Sequence, residues 1–351
     1  MRHEDPIVGR GSALSSTQPP APPAGYGLTP QRKGGRHSSN GRAGDTQMIG
    51  LPTITPDPPD PGTVAPAPAG AGAVQRRSGL FRANPKERAQ QQSLERNRLS
   101  VQIQSPRRIA VVGLKGGVGK TTLSVLMAGI YSQVRGDPVL LLDGDPTFGS
   151  LLLRSGVAPT HSARDLAGRG DPGDLAILAP YLAQSANGTW VLPSGLDPGE
   201  SARFDEATFV ATMDVVHRHF PITVIDCGAG LGGGLMRQLL GAVHTLVFAT
   251  SPSVDGITAT YAGLTWIAER GFGALVANSF VAVTAVRRRG SPVDLAAATQ
   301  RFEGLCRGLL SVPDDPHLRA GARIDQSELR DQTRDAMTQL AAAVLEAAQG
   351  A

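Results

Sequence analysis

A glycine-rich octet, Lys115-Gly116-Gly117-Val118-Gly119-Lys120-Thr121-Thr122, sits between a short apolar run and a helical pattern. The run Ile109-Ala110-Val111-Val112 predicts a buried strand. After the octet, Leu123, Leu126, Met127, Ile130 and Val134 recur at helical spacing, predicting a helix from about Thr121 to Arg135. Gly136 and Pro138 stop it, and Val139 to Leu142 forms a second buried strand. Strand, glycine loop, helix, strand is the βαβ unit of an open parallel sheet with helices on both faces, so the fold class is α/β.

Lysine usage sharpens the reading. From residue 106 to the C-terminus the chain has two lysines, Lys115 and Lys120, against nineteen arginines. A compact ammonium on a flexible stem fits a tight phosphate cradle, where a planar guanidinium does not. Gly116, Gly117 and Gly119 let backbone N–H groups wrap phosphate oxygens, joined by Val118, and the helix start at Thr121 and Thr122 adds its positive end. Lys120 is placed to reach the β/γ-phosphates, and the Thr121 hydroxyl to hold Mg²⁺. The ordinary phosphate loop has glycine where this chain has Leu114. Lys115 is an additional lysine just after the strand.

Other candidate strands end on polar residues. Asp143-Gly144-Asp145-Pro146 closes the second strand, and Thr223-Val224-Ile225 runs into Asp226. Thr245 to Ala249 runs into Thr250-Ser251-Pro252, and Phe280 to Val286 into Arg287-Arg288-Arg289. In open α/β sheets that edge is where ligands sit. Asp226 is a candidate for orienting Mg²⁺ through water. Of the pair Asp143 and Asp145, one can assist the metal and the other position the attacking water; capping of their own loop is the alternative for each.

Lys115 to Thr122, Asp143 to Pro146 and Ile222 to Asp226 resemble the deviant Walker A, Walker A′ and Walker B segments of the ParA/MinD family of P-loop ATPases. The resemblance runs over residues 107–347. Within that family, the octet combined with a long Pro-rich basic tail is similar to the MinD-like ATPases associated with type VII (ESX) secretion. The resemblance implies ATP and Mg²⁺ as ligands and an ATP-bound homodimer. Lys115 and Lys120 would neutralise phosphate charge, Lys115 from across the interface, and Asp145 would orient water. Thr121, Asp143 and Asp226 would serve the metal. Val312-Pro313-Asp314-Asp315-Pro316-His317-Leu318 is similar to the family's segment over the adenine, which brings in Pro313. Arg287 follows the strand that supplies base contacts, with Thr284 or Val286 where relatives often have Asn. Cys227-Gly228-Ala229-Gly230 stands where many relatives have Cys-Pro-Pro, implying a more flexible switch loop.

Composition divides the chain near residue 105. Residues 1–105 carry 14 of the 27 prolines and only Tyr26 and Phe81 as aromatics, too little apolar surface to offset the entropy of ordering. They are expected to be a disordered basic tail, extended over Pro52 to Pro68, with a short helix from Lys86 to Leu99 that needs a partner. The tail holds 13 Lys+Arg against 7 Asp+Glu, whereas residues 106–351 hold 21 against 23. The basic pI therefore belongs to the tail, which is the expected contact for a protein partner. DNA remains a partner open to the Arg287–Arg289 run.

Cys227 and Cys306 make no disulfide framework or metal set. No apolar run approaches the roughly 20 residues of a membrane span, and the start lacks an apolar signal core. The final helix, about Ser327 to Ala348, has no Lys or Arg after Arg334, against a membrane-surface role. These features point to a reducing cytoplasm and no stable membrane insertion. Three functions follow: an ATP-hydrolysing dimer switch serving secretion or positioning, a partition ATPase that binds DNA non-specifically, and a nucleotide-binding adaptor without significant turnover.

Overall fold

The computed structural model describes residues 85–287 and 293–351. The expected disorder of residues 1–84, the extended Pro52–Pro68 run, and Arg288 and Arg289 lie outside the described residues. Among the described residues, eight strands form one sheet: β1 (Arg107–Val112), β2 (Val139–Gly144), β3 (Ala183–Gln184), β4 (Trp190–Leu192), β5 (Ile222–Cys227), β6 (Thr245–Thr250), β7 (Phe280–Val286) and β8 (Gly308–Pro313). Their order is β3-β4-β2-β5-β1-β6-β7-β8. Only the β3–β4 pair is antiparallel; the others are parallel.

The strands of the sheet's centre are apolar on both faces because both are covered. In β1, Ile109 and Val111 join one core layer while Ala110 and Val112 join the other. The first layer packs against the helix after the phosphate loop, and against the C-terminal helix Asp331–Gln349 through Met337, Leu340 and Val344. The second packs against the helices Glu206–Val216, Gly234–Ala242 and Val254–Ile267. β1 lies between β5 and β6: the connection after β1 runs to one side, to β2, and the connection after β5 crosses β1 to the other side, to β6. The crevice at that switch point is where such sheets bind ligands.

One boundary differs from the composition reading. Residues 85–105 were assigned to the tail, yet α1 (Pro85–Leu99) is docked on the C-terminal helix. Arg88 pairs with Asp331 at 2.9 Å and Asp335 at 2.6 Å, Gln92 donates to Asp335 at 2.8 Å, and Arg98 pairs with Glu346. Leu99 is fully buried. Arg135, after the phosphate-loop helix, donates to the carbonyls of Leu99 at 2.6 Å and Val101 at 2.9 Å. The C-terminal helix is thus the surface on which this helix is docked. Composition missed this because the dock relies on charges and a single deep leucine.

Candidate nucleotide site

The loop between β1 and α2 (Lys120–Val134) wraps a hollow at the C-terminal edge of the sheet. Gly117 and Gly119 adopt φ of +76° and +88°, a left-handed backbone that favours glycine. A side chain at Gly116 or Gly117 would meet nothing within 4 Å, so the loop faces open space there. Gly119 caps α2 with no side-chain hydrogen bond, leaving the first amides of the helix for an external acceptor. Lys120 is only 8% exposed, and its Nζ lies 3.4 Å from the Lys115 carbonyl. Among the described residues no carboxylate ion-pairs with it. A nearly buried cation beside a glycine loop that faces open space suits an anionic ligand.

Asp143 and Asp226 are register partners on β2 and β5. Asp226 is 2% exposed, and its Oδ1 accepts from the Ser124 hydroxyl at 3.0 Å. Burial pushes its carboxyl above the usual range, opposed by the Thr121 and Ser124 hydroxyls and by Lys120. Asp143 is also held high by burial, with Asp226 and Asp145 adding repulsion. Its oxygens accept from the Asp145 N–H at 3.0 Å and the Ser194 hydroxyl at 3.2 Å. This is the loop-capping arrangement. Asp145 takes the backbone N–H of Thr147 at 2.9 Å and its hydroxyl at 2.5 Å. A Cβ at Gly228 would lie 2.9 Å from Asp145 Oδ1. The glycine in the switch segment therefore lets β5 approach Asp145 closely, beyond any gain in flexibility.

Lys115 forms an ion pair within its own chain, with Asp255 in the first turn of the helix Val254–Ile267. The Thr284 hydroxyl donates to the carbonyl of Val118 at 2.8 Å and stands 3.3 Å from that of Thr250. Arg287 and Pro313 are brought to the same edge. Val286 is the register partner of Pro313, the Asp314 N–H donates to the Val286 carbonyl at 2.9 Å, and Arg287 lies 3.7 Å from Asp314. Arg287 is 72% exposed. Asp315 caps the short helix Pro316–Arg319 and accepts from the Arg330 N–H at 2.9 Å, so it anchors this segment.

The donor set suits a hard cation shared with phosphate. Among the described residues no group of three or more His, Cys, Asp or Glu could hold a metal ion. Thr121 and Asp226 offer two oxygen donors beside the hollow, and Mg²⁺ takes few protein ligands, filling the rest with water and phosphate oxygens. Cys227 is buried with its thiol pushed far up by burial, as an inert packing residue. Among the described residues no helix is long and apolar enough to cross a membrane.

Comparison with known proteins agrees with this geometry. Residues 109–323 match the family described as the CobQ/CobB/MinD/ParA nucleotide binding domain. The chain is 29% identical over 238 residues to the ESX-1 secretion-associated protein EspI of Mycobacterium tuberculosis, an alignment covering 67% of this chain but only 36% of that protein. The cell division ATPase MinD of Pyrococcus furiosus superposes with a TM-score of 0.55 at 23% identity, covering 68% of this chain and 98% of its own. A ParA family ATPase from Chlorobium tepidum gives 0.58 at 16% identity, over 68% of this chain and 99% of its own.

Proposed function

The chain belongs to the CobQ/CobB/MinD/ParA nucleotide-binding family, and on that premise we propose that it is a Mg·ATP-dependent switch that closes as a homodimer and reopens on hydrolysis. The observation that carries this reading is Lys120, a nearly buried cation beside the glycine loop that, among the described residues, makes no ion pair within 4.0 Å, with the charge of Asp226 acting on it at longer range.

In this reading the loop amides of Gly116 to Thr122 cradle the phosphates, and Lys120 neutralises the β/γ charge. Thr121 and Asp226 hold Mg²⁺, with Asp143 fixing the loop behind them. Bound there, the ion supplies neutralisation of charge on the phosphate oxygens. Asp145 orients the attacking water. Lys115 leaves Asp255 to reach the partner's phosphates. Arg287 and Pro313 border the base. Catalysis is positioning plus charge neutralisation.

The likeness to an ESX-1 secretion-associated protein supports a role in a secretion or positioning system in the cytoplasm, with the N-terminal tail contacting a protein partner. A DNA-partition role is the second reading, favoured by Arg287 and the arginines after it. ATP turnover with and without DNA separates the possibilities. Slow turnover indifferent to DNA supports the secretion-type switch, DNA stimulation supports partition, and binding without turnover supports an adaptor. Lys120→Ala should abolish nucleotide binding while circular dichroism stays unchanged. Near-normal binding in that variant removes the phosphate-loop assignment.

A further inference from the structure

Thr284 is 166 residues from Val118 in the sequence, and the fold seats it directly against the phosphate loop. Its methyl and Cβ stand 3.3 and 3.5 Å from where a Cβ on Gly119 would be, so it fills the space beside that glycine. Its hydroxyl has one proton, and the nearer of its two carbonyl neighbours is Val118 at 2.8 Å. The strand is shaped for this contact. The β7–β8 register breaks between Val283 and Val286, and Ala285 within the break has a φ of +53°. Such irregularities re-aim a side chain at a sheet edge.

We propose that Thr284 is a positioning residue for phosphate binding: by holding the Val118 carbonyl, it turns the Gly119 N–H into the phosphate hollow. The carbonyl and the N–H of one trans peptide point in opposite directions, so fixing the first fixes the second. At Gly119 this control matters, because a glycine has a wide choice of backbone conformations and would otherwise let the peptide rotate. The inference rests on the phosphate-loop reading above. It assigns Thr284 to the phosphates, although its strand position would suggest a contact with the base.

The test uses the full-length chain with Thr284→Val, which keeps the shape and removes the donor, and Thr284→Ser, which keeps the donor. Affinities are measured by calorimetry for Mg·ATP, Mg·GTP and inorganic tripolyphosphate. Loss of one hydrogen bond that orients a ligand donor should weaken binding about three- to tenfold. Thr284→Val should lose that factor for ATP and tripolyphosphate alike, with the ATP-to-GTP ratio unchanged, and Thr284→Ser should stay within about twofold of wild type. Should Thr284→Val fail to fold, the pair Thr284→Ala and Thr284→Ser gives the same contrast. Unchanged tripolyphosphate binding alongside a shifted ATP-to-GTP ratio would overturn the proposal, because Thr284 would then act on the base. Equal affinities in all variants would overturn it as well. A wild-type chain that binds neither nucleotide nor tripolyphosphate would instead sink the underlying phosphate-loop reading.

Discussion

Ala285 holds a left-handed backbone without being glycine, at the end of the strand that reaches the phosphate loop. An L-residue in that conformation costs about 1–2 kcal/mol, partly recovered through the smaller unfolded-state entropy of alanine relative to glycine. Ala285→Gly should therefore raise stability by about 0.5–1 kcal/mol, and Ala285→Val should lower it, because a branched side chain tolerates positive φ poorly. Urea unfolding of both variants reads the sign; a destabilised glycine variant would mean the conformation carries no strain. Residues like this were the hardest to read from the sequence. Lys120 and Asp226 stand out as candidates in the sequence because phosphate and metal chemistry wants such groups at fixed spacing from a glycine loop and at a strand end. Asp255, Ser194 and Thr284 do not, because their roles come from the partners the topology delivers: Lys115, Asp143 and the Val118 carbonyl. A serine, a threonine or a helix-start aspartate has no signature of its own.

At the scale of elements, the legible strands are apolar runs that end on polar residues, such as Val139 to Leu142 between Pro138 and Asp143, and Phe280 to Val286 between Ser279 and Arg287. β3 and β4, of two and three residues, are too short to show a period. α1 is expected as a helix from Lys86 to Leu99, but its polar dock gives no apolar stripe that would place it with the folded part. Its energetics should still rest on Leu99: Leu99→Ala should cost about 2–4 kcal/mol, while Arg88→Ala, which removes half-exposed ion pairs, should cost under about 1 kcal/mol. Equal losses for the two in urea unfolding would show that the charges, and not the leucine, hold the helix. The edge of β1 carries a pH device of similar scale. His244 Nδ1 accepts from the Arg108 backbone N–H at 3.0 Å, and the Arg108 carbonyl accepts from the His244 backbone N–H at 2.9 Å. Burial first, and then the charges of Arg108 and Arg107, lower the imidazole from 6.5 to about 4. A folded-state value below the unfolded one means that the unfolded chain binds the proton more readily. Stability from this group is thus complete above pH 6.5 and falls as pH drops from 6.5 to about 4. His244→Gln keeps an acceptor for the Arg108 N–H and should flatten that fall when unfolding is compared at pH 7.5 and 5 (about neutral and mildly acid conditions). An identical pH slope in the variant would assign the effect elsewhere.

For the molecule as a whole, the cis ion pair of Lys115 with Asp255 bears directly on the proposed dimer. Both side chains are substantially exposed, at 45% and 76%, so separating them costs little against the pull of a facing triphosphate. In the proposed dimer Lys115 exchanges Asp255 for phosphate oxygens on the partner. Lys115→Ala should still bind ATP as a monomer, since Lys120 and the loop amides remain. It should fail to dimerise and lose most turnover, because the facing phosphate charges are no longer neutralised across the interface. Asp145→Ala leaves every cation in place and removes the group assigned to the water. Its Thr147 contacts are local to the loop, so the fold should persist and ATP-bound dimer should accumulate without turnover. The two inactive variants are thus assigned opposite oligomeric states by the same charge argument. Light scattering with Mg·ATP on each decides it. If Lys115→Ala dimerises as wild type does, Lys115 acts only within its own chain and Asp255 is its lasting partner.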